Sequence, residues 1–367
     1  MKRILLLFLA VVLILQLVAC GRKTEETPGD TADETQKGAQ NMTPFRNPLL
    51  RASSAPDPFV TYDDVTGYYY AMFTQGSYVE IYRSRQLATL MTGEHKIIYD
   101  AAGGADGVWG DVWAPEMHRG SDGEWYIYTS GRIEEEPVTY EKRLFVLGAK
   151  TDDPFGEWMF VRLLNKQGFA IDPTVYTAPS GKQYFCCSRV DPEFGQVLEL
   201  QEMTSPFTFN NNKKATIAKA ELEWELVPPY TGSAAILEGP FFLAHGDRLF
   251  LIYSANGCWS DHYALGVLEY TGGEMCDPAS WVKHEQPLLV MGNGVFGPGH
   301  ASFFTSPDGT EVFCAYHGMD HHNENATPAA RYPYVQRVTF DETGYPVMGE
   351  AIGCDVDILP PSGEQAP

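Results

Sequence analysis

The sequence predicts an all-β fold, a five-bladed β-propeller, on three observations. The 367 residues include 20 Tyr, 20 Phe, 7 Trp and 35 Gly, a composition typical of strands joined by tight turns. One turn-and-strand pattern recurs five times, about 60 residues apart. A polar residue stands shortly before each copy. Five units with room for four strands each indicate blades around a central channel.

The N-terminus is predicted to be a secretory signal over residues 1–19. Lys2 and Arg3 precede an apolar run at 4–17, which is shorter than the roughly 20 residues a membrane-spanning helix needs. The run ends in Leu-Val-Ala-Cys-Gly, which resembles the bacterial lipobox and implies cleavage before Cys20 and lipid on its sulfur. An ordinary signal peptide, with Cys20 incidental, is the alternative. We therefore expect an exported protein that a lipid alone anchors to the membrane.

Residues 20–40 are predicted to be a flexible acidic tether behind Cys20. From 21 to 40 the chain has no aromatic side chain and consists mainly of Gly, Thr, Glu, Asp, Lys and Gln. The folded domain is therefore expected over residues 41–360. The whole chain carries a net charge of −22, and so acidic a surface repels phosphate backbones. Nucleic acid is not an expected partner, and no second subunit is implied, so we expect a monomer.

The repeated pattern is a glycine, two or three further residues and then alternating aromatic and aliphatic residues, often closing on Ser or Thr. Such a pattern predicts a turn followed by a β-strand. The five turns begin at Gly67, Gly123, Gly181, Gly246 and Gly309.

The polar residue before each turn is a carboxylate in four copies and a histidine in the fifth. These residues are Asp57, Glu116, Asp172, Glu238 and His300. We expect them to occupy one structural position, on the inner strands, and so to converge on the channel axis. The alternative is that Asp-Pro and Glu-Gly-Pro are only turn formers, which five matched copies disfavour. Converging carboxylates suit glycoside hydrolysis by one acid and one base, with a third that raises the pKa of the acid.

The six cysteines beyond Cys20 do not indicate a metal or redox site, because no CxxC pair occurs. Cys186 and Cys187 are neighbours in a predicted strand, where side chains alternate between faces, so they are not expected to pair with each other. Buried thiols are one interpretation, and oxidation in an exported protein is another. The sequence leaves these two open.

Six segments together resemble glycoside hydrolase family 43, over residues 45–355. They are PDPFV at 56–60, WAPE at 113–116, IDP at 171–173, EGP at 238–240, GPGH at 297–300 and the closing segment at 331–347. The resemblance implies the five-bladed propeller and an inverting mechanism. It further implies that Asp57 is the general base, that Glu238 is the general acid and that Asp172 tunes and orients the acid. Asp57 and Glu238 should then lie roughly 6.5–9.5 Å apart.

The resemblance implies further residues of the sugar site. Trp113 and Glu116 belong to a loop that shapes the site, and Arg331 reaches into the sugar pocket. His300 lies near the axis, where in many members such a histidine helps to hold a calcium ion, largely through water. No organic cofactor is implied.

The expected activity is therefore hydrolysis of arabinose- or xylose-containing plant cell-wall polysaccharides, with α-L-arabinofuranosidase as the first choice. A β-xylosidase, an endo-arabinanase or a galactofuranosidase would use the same three carboxylates. A surface glycan-binding lipoprotein without catalysis is the alternative of another class. Because Asp57, Asp172 and Glu238 are all present, the sequence favours the enzyme.

Overall fold

The computed structural model describes residues 43–134 and 141–365. In them the chain forms a five-bladed β-propeller, which confirms the predicted fold. The predicted signal, Cys20 and the tether lie outside the described residues. Within the described ranges no helix is long and apolar enough to cross a bilayer.

Each blade is a sheet whose strands follow one another in chain order. Blade one contains β1 (Phe59–Asp63), β2 (Tyr68–Met72), β3 (Tyr78–Ser84) and β4 (Glu94–Asp100). Blade two contains β5 (Trp113–Arg119), β6 (Trp125–Arg132), β7 (Lys142–Ala149) and β8 (Trp158–Leu163). Blade three contains β9 (Ala170–Thr177), β10 (Gln183–Asp191), β11 (Gly195–Ser205) and β12 (Thr208–Ala218).

The last two blades are built alike, with short additions. Blade four contains β13 (Leu237–His245), β14 (Arg248–Ala255), β15 (Ala264–Tyr270), β16 (Trp281–Lys283) and β17 (Leu289–Val290). Blade five contains β18 (Phe296–Thr305), β19 (Val312–Met319), β20 (Tyr332–Phe340) and β21 (Pro346–Val347), and β22 (Gly349–Glu350) pairs back with β17. Short 3₁₀ helices lie at Leu87–Thr92, Ala105–Gly107, Glu223–Glu225, Gly232–Ala234 and Pro278–Ser280.

The five predicted turns join the first strand of each blade to the second. All five glycines have a positive φ, for example 69° at Gly67 and 87° at Gly123, a conformation that costs glycine little. The repeat therefore marks the innermost hairpin of every blade.

The core lies between neighbouring blades, where the alternate faces of each sheet meet. Cys186 and Cys187 show the alternation, because each packs in a different apolar cluster. They do not pair with each other, as predicted, and the six cysteines of the described ranges are free thiols.

The ring closes where the N-terminal segment meets blade five. The first strand of each blade contacts that of the next, and β18 contacts β1. Asn47 is buried, its amide donates to the Val335 carbonyl at 2.9 Å, and its own oxygen accepts from the Val335 amide at 2.9 Å. Further along, the Ala55 amide donates to the Arg331 carbonyl. Residues at the start of the domain thus fasten the last blade to the first.

Candidate active site

A left-handed residue interrupts or precedes the innermost strand of every blade, and these five residues form a ring at the axis. Their φ angles are 58° at Asp57, 45° at Ala114, 54° at Asp172, 54° at Gly239 and 50° at His300. A positive φ is uncommon outside glycine and signals a local requirement. In four blades proline follows this residue. These five left-handed residues are therefore the structurally equivalent positions of the five blades.

The prediction that Glu116 and Glu238 share the position of the other three is wrong. Glu238 directly precedes the left-handed Gly239, and Glu116 comes two residues after Ala114. The pairing of both strands with their neighbours is irregular at this point. A bulge adds a residue to one strand, so spacing from the turn does not fix which face a side chain takes.

Blades one, four and five each hold the left-handed turn of the next blade in the ring through a side chain at the end of the second strand. The Thr74 hydroxyl accepts from the Ala114 amide at 2.8 Å, and the Ser254 hydroxyl accepts from the His300 amide at 2.8 Å. In blade five the side chain is His317, whose Nδ1 accepts from the Asp57 amide at 3.1 Å. These bonds tie the geometry of the site to the packing of the blades.

The Asp57 carboxylate is buried and has a cationic partner. Its Oδ1 accepts from the Arg331 guanidinium at 3.0 Å, and its Oδ2 accepts from the Thr74 hydroxyl at 2.6 Å. Burial raises the pKa of Asp57, but the charge of Arg331 more than offsets it, and the pKa lies well below its ordinary value. Asp57 is therefore ionised at neutral pH.

The buried Asp172 and the half-buried Glu238 form a pair of carboxyls with the opposite tendency. Burial and the neighbouring charges of Glu238 and Asp57 raise the pKa of Asp172 well above its usual range. Burial also raises the pKa of Glu238 to about 7, in spite of hydrogen bonds from Tyr263 at 2.9 Å and Gln196 at 3.0 Å. Such a pair retains a proton near neutral pH.

The backbone of blade four brings these two carboxyls together. The Gly239 amide donates to Asp172 Oδ2 at 2.9 Å. A side chain at Gly239 would put its Cβ 3.1 Å from the His300 ring, so glycine allows both the left-handed turn and the close packing.

His300 lies between Asp57 and the Asp172–Glu238 pair. Its Nδ1 is 3.4 Å from Asp57 Oδ1 and 3.9 Å from Asp172 Oδ2. Burial lowers the pKa of His300, although Asp57 and Glu116 act in the other direction. The imidazole is thus neutral at neutral pH.

The other predicted site residues, Arg331, Trp113 and Glu116, have the following contacts. The Arg331 guanidinium lies 5.6 Å from the centroid of the Trp259 ring. Trp113 begins β5 beside Ala114, with the Lys142 ammonium 3.5 Å from its ring centroid. Glu116 is buried, and its carboxylate lies 2.7 Å from His118 Nε2. Contacts thus link Asp57, Asp172, His300 and Arg331 in an axial network. Glu238 joins it through the amide of the neighbouring Gly239, whereas Glu116 binds a different partner.

Sequence reasoning missed Thr74, His317, Tyr263 and Gln196. The repeat did contain a signal for two of them, because its copies close on Ser or Thr and the fifth closes on His317. That closing position is the inter-blade contact described above. Tyr263 and Gln196 lie outside the repeat and carry no such signal.

The donors at the axis do not form a direct metal site. Among residues 43–134 and 141–365, no three His, Cys, Asp or Glu side chains are grouped so that they could hold an ion. The Nδ1 of His300 faces two carboxylates. The residues present therefore do not fit a calcium ion held directly by side chains.

Comparison with known proteins gives one family. The family described as Glycosyl hydrolases family 43 matches residues 45–346. An extracellular exo-α-(1→5)-L-arabinofuranosidase of Streptomyces chartreusis is 31% identical over 77% of this chain and 85% of its own length. A protein of the same name from Streptomyces avermitilis is 29% identical over 88% of this chain, which spans 66% of it.

A solved structure agrees in fold. The α-L-arabinofuranosidase from Lactobacillus brevis superposes with a TM-score of 0.75 at 27% identity, over 87% of this chain and 99% of that one. The family match covers most of the chain and includes every carboxylate of the axial network. This chain belongs to glycosyl hydrolases family 43, and it is a glycosidase.

Proposed function

We propose that this protein is an exported, inverting α-L-arabinofuranosidase that removes terminal arabinofuranosyl residues from arabinan or arabinoxylan. The substrate class follows from the names of the two Streptomyces relatives, and export follows from their description as extracellular. The predicted signal at 1–19 supports export as well, and lipid on Cys20 would retain the protein at the membrane.

The observation that carries the mechanism is the contrast in protonation between the carboxyls at the axis. Asp57 is held ionised beside Arg331, while the Asp172–Glu238 pair retains a proton. A general base must be ionised before the reaction, and a general acid must be protonated. One site with both states at neutral pH suits single-displacement hydrolysis.

In this mechanism Glu238 protonates the leaving oxygen while Asp57 takes a proton from water on the other face of the sugar. The C1–O bond breaks as the water oxygen bonds to C1, so the anomeric configuration inverts. The ionised Glu238 that results is stabilised by donation from Tyr263 and Gln196. Asp172 orients the acid through the Gly239 amide and shares its proton.

Arg331 serves the base and the sugar together. Its Nη1 binds Asp57, and a guanidinium has five N–H donors, so a remaining one can donate to a hydroxyl of the sugar. Trp113 would line the pocket beside the sugar, as the family resemblance implies for its loop. Calcium, which the family resemblance implies near His300, would have to be held through water, and no step above depends on it.

The test is an NMR time course with arabinan, arabinoxylan and xylan oligosaccharides. Release of arabinose with inverted configuration before mutarotation supports the proposal. Retention would overturn the assignment of Asp57 as base, and release of xylose would overturn the substrate. Binding without release from any of them would favour the glycan-binding alternative.

A further inference from the structure

Two stacked aromatic rings connect the proposed base to the proposed acid. The His317 and Tyr263 rings lie 5.4 Å apart between centroids, with 3° between their planes. On one side, His317 Nδ1 lies 3.1 Å from the Asp57 amide nitrogen and 3.1 Å from its Oδ1. On the other side, the Tyr263 hydroxyl donates to Glu238 Oε1 at 2.9 Å. The four residues thus form one continuous path between blades one and four.

The stack is fully enclosed, so neither ring can swing away. Both side chains have no exposed surface. A side chain at Gly299, which pairs with His317 across the β18–β19 ladder, would put its Cβ 2.3 Å from the Tyr263 ring. The absence of a side chain there leaves the space that the phenol occupies. Close packing of this kind transmits small displacements.

The His317 ring is neutral. Burial and the Arg331 charge lower its pKa to about 3, although Asp57 acts against them. Its Nδ1 accepts a hydrogen bond from the Asp57 amide, so the single N–H of the neutral ring is at Nε2, which is buried without a partner among the described residues. A charge is therefore not what His317 contributes. It contributes a hydrogen-bond acceptor for the Asp57 amide and a flat ring face that stacks on Tyr263.

We propose that His317 and Tyr263 are positioning residues whose stacked rings set where the Asp57 and Glu238 carboxyls stand relative to each other. This rests on the proposed function, because an inverting reaction needs a fixed gap between base and acid for the sugar and the water. Both residues act through the carboxyls they hold.

The test reads the pKa of Glu238 in variants of the stack. Titratable or charged groups that face Glu238 come from several elements and are Asp57, Asp172, Tyr230, Cys258, Tyr263 and Arg331. None of them is altered by a change at His317. A shift of the Glu238 titration on changing His317 therefore reports movement of Tyr263 or of the carboxyls.

Three variants separate the contributions. Tyr263→Phe keeps the stack and removes the donor to Glu238. His317→Asn removes the ring but keeps an oxygen near the position of Nδ1 that can accept from the Asp57 amide. If His317→Asn does not fold, His317→Gln is used in its place. Tyr253→Phe is the matched control, because the Tyr253 hydroxyl donates at 2.6 Å to a different buried carboxylate, Glu225.

The measurements are a ¹³C-carboxyl NMR titration of Glu238, assigned by its loss in Glu238→Gln, and kcat and KM on an arabino-oligosaccharide. Tyr263→Phe should raise the Glu238 pKa by about one unit, because a donor to the ionised form is lost. His317→Asn should shift it in the same direction and lower kcat about tenfold or more with KM nearly unchanged. The control should lose thermal stability and keep wild-type kcat and Glu238 pKa.

An unchanged Glu238 pKa in Tyr263→Phe overturns the inference. So does a His317→Asn protein that melts lower but keeps the wild-type pKa and kcat, since that result gives His317 only a structural role. The titration needs no substrate. A wild-type protein that releases no arabinose would therefore defeat the proposed function and leave this inference to be decided by the titration alone.

Discussion

Replacement of Glu238 by glutamine tests the proposed acid with little disturbance of its surroundings. Glu238 accepts one hydrogen bond on each oxygen, from Tyr263 and from Gln196. In Glu238→Gln the new amide oxygen can still accept from Gln196, and the new NH₂ can donate to the Tyr263 hydroxyl, which can rotate to accept. The variant should therefore fold, and its loss of rate should report the loss of the proton.

The expected size of that loss depends on the leaving group. General acid catalysis contributes about 10²–10⁴ in rate, or roughly 2.7–5.5 kcal/mol of the barrier. Glu238→Gln should lose this much kcat on a natural arabino-oligosaccharide. A 4-nitrophenyl arabinofuranoside needs little protonation of its leaving oxygen, so the loss there should be about tenfold or less. Asp57→Asn should lose activity on both substrates, because the base is needed for either.

The assay compares initial rates on the two substrates for both variants and for Glu225→Gln. Glu225 is buried and, like Glu238, accepts from a tyrosine, so its variant controls for the loss of a hydrogen-bonded carboxylate. That control should melt at a lower temperature and keep its kcat. Equal losses of Glu238→Gln on both substrates, or a nearly wild-type rate on the oligosaccharide, would refute the role of Glu238 as acid.

Three further outcomes follow from the same contacts. Measured as kcat/KM against pH, activity should fall above about pH 7 as Glu238 ionises. It should persist far into acid because the pKa of Asp57 is low. In Arg331→Met the loss of activity on acidification should begin at a higher pH, because the charge that lowers the Asp57 pKa is gone. Thr74→Val removes a 2.6 Å hydrogen bond to Asp57 and should lower kcat roughly tenfold in steady-state assays. Asn47→Ala removes two buried hydrogen bonds at the ring closure and should cost about 2–3 kcal/mol in urea unfolding.

The architecture could be predicted from the sequence because it depends on local, repeated signals. A glycine with positive φ followed by alternating apolar residues produces the inner hairpin wherever it occurs, as at Gly67 and Gly309. Five hairpins at blade spacing leave few other ways to bury their faces. The convergence of Asp57 and Asp172, which both occupy the repeated left-handed position, follows from that geometry.

The exact register at the axis could not be predicted in this way. Glu116 and Glu238 stand at similar distances from their turns, yet one binds His118 and the other joins the axial network, where it accepts from Tyr263. The difference depends on where a bulge falls in each innermost strand, and bulges follow from packing between blades. The sequence repeat predicts how far such residues stand from their turns, but it does not predict which face of the strand their side chains occupy.

The strained turns at the axis are best understood together with the side chains that hold them. Asp57 and His300 adopt a left-handed conformation, and each donates its backbone amide to the preceding blade in the ring, to His317 and to Ser254. In both residues the side chain points to the axis, while the neighbouring blade holds the backbone amide. The hydroxyls of Thr74 and Ser254 and the imidazole of His317 supply this contact at the ends of their second strands. The closing residue of the repeat therefore holds the turn of the next blade in these three blades, and the histidine is the one that holds Asp57, the proposed base.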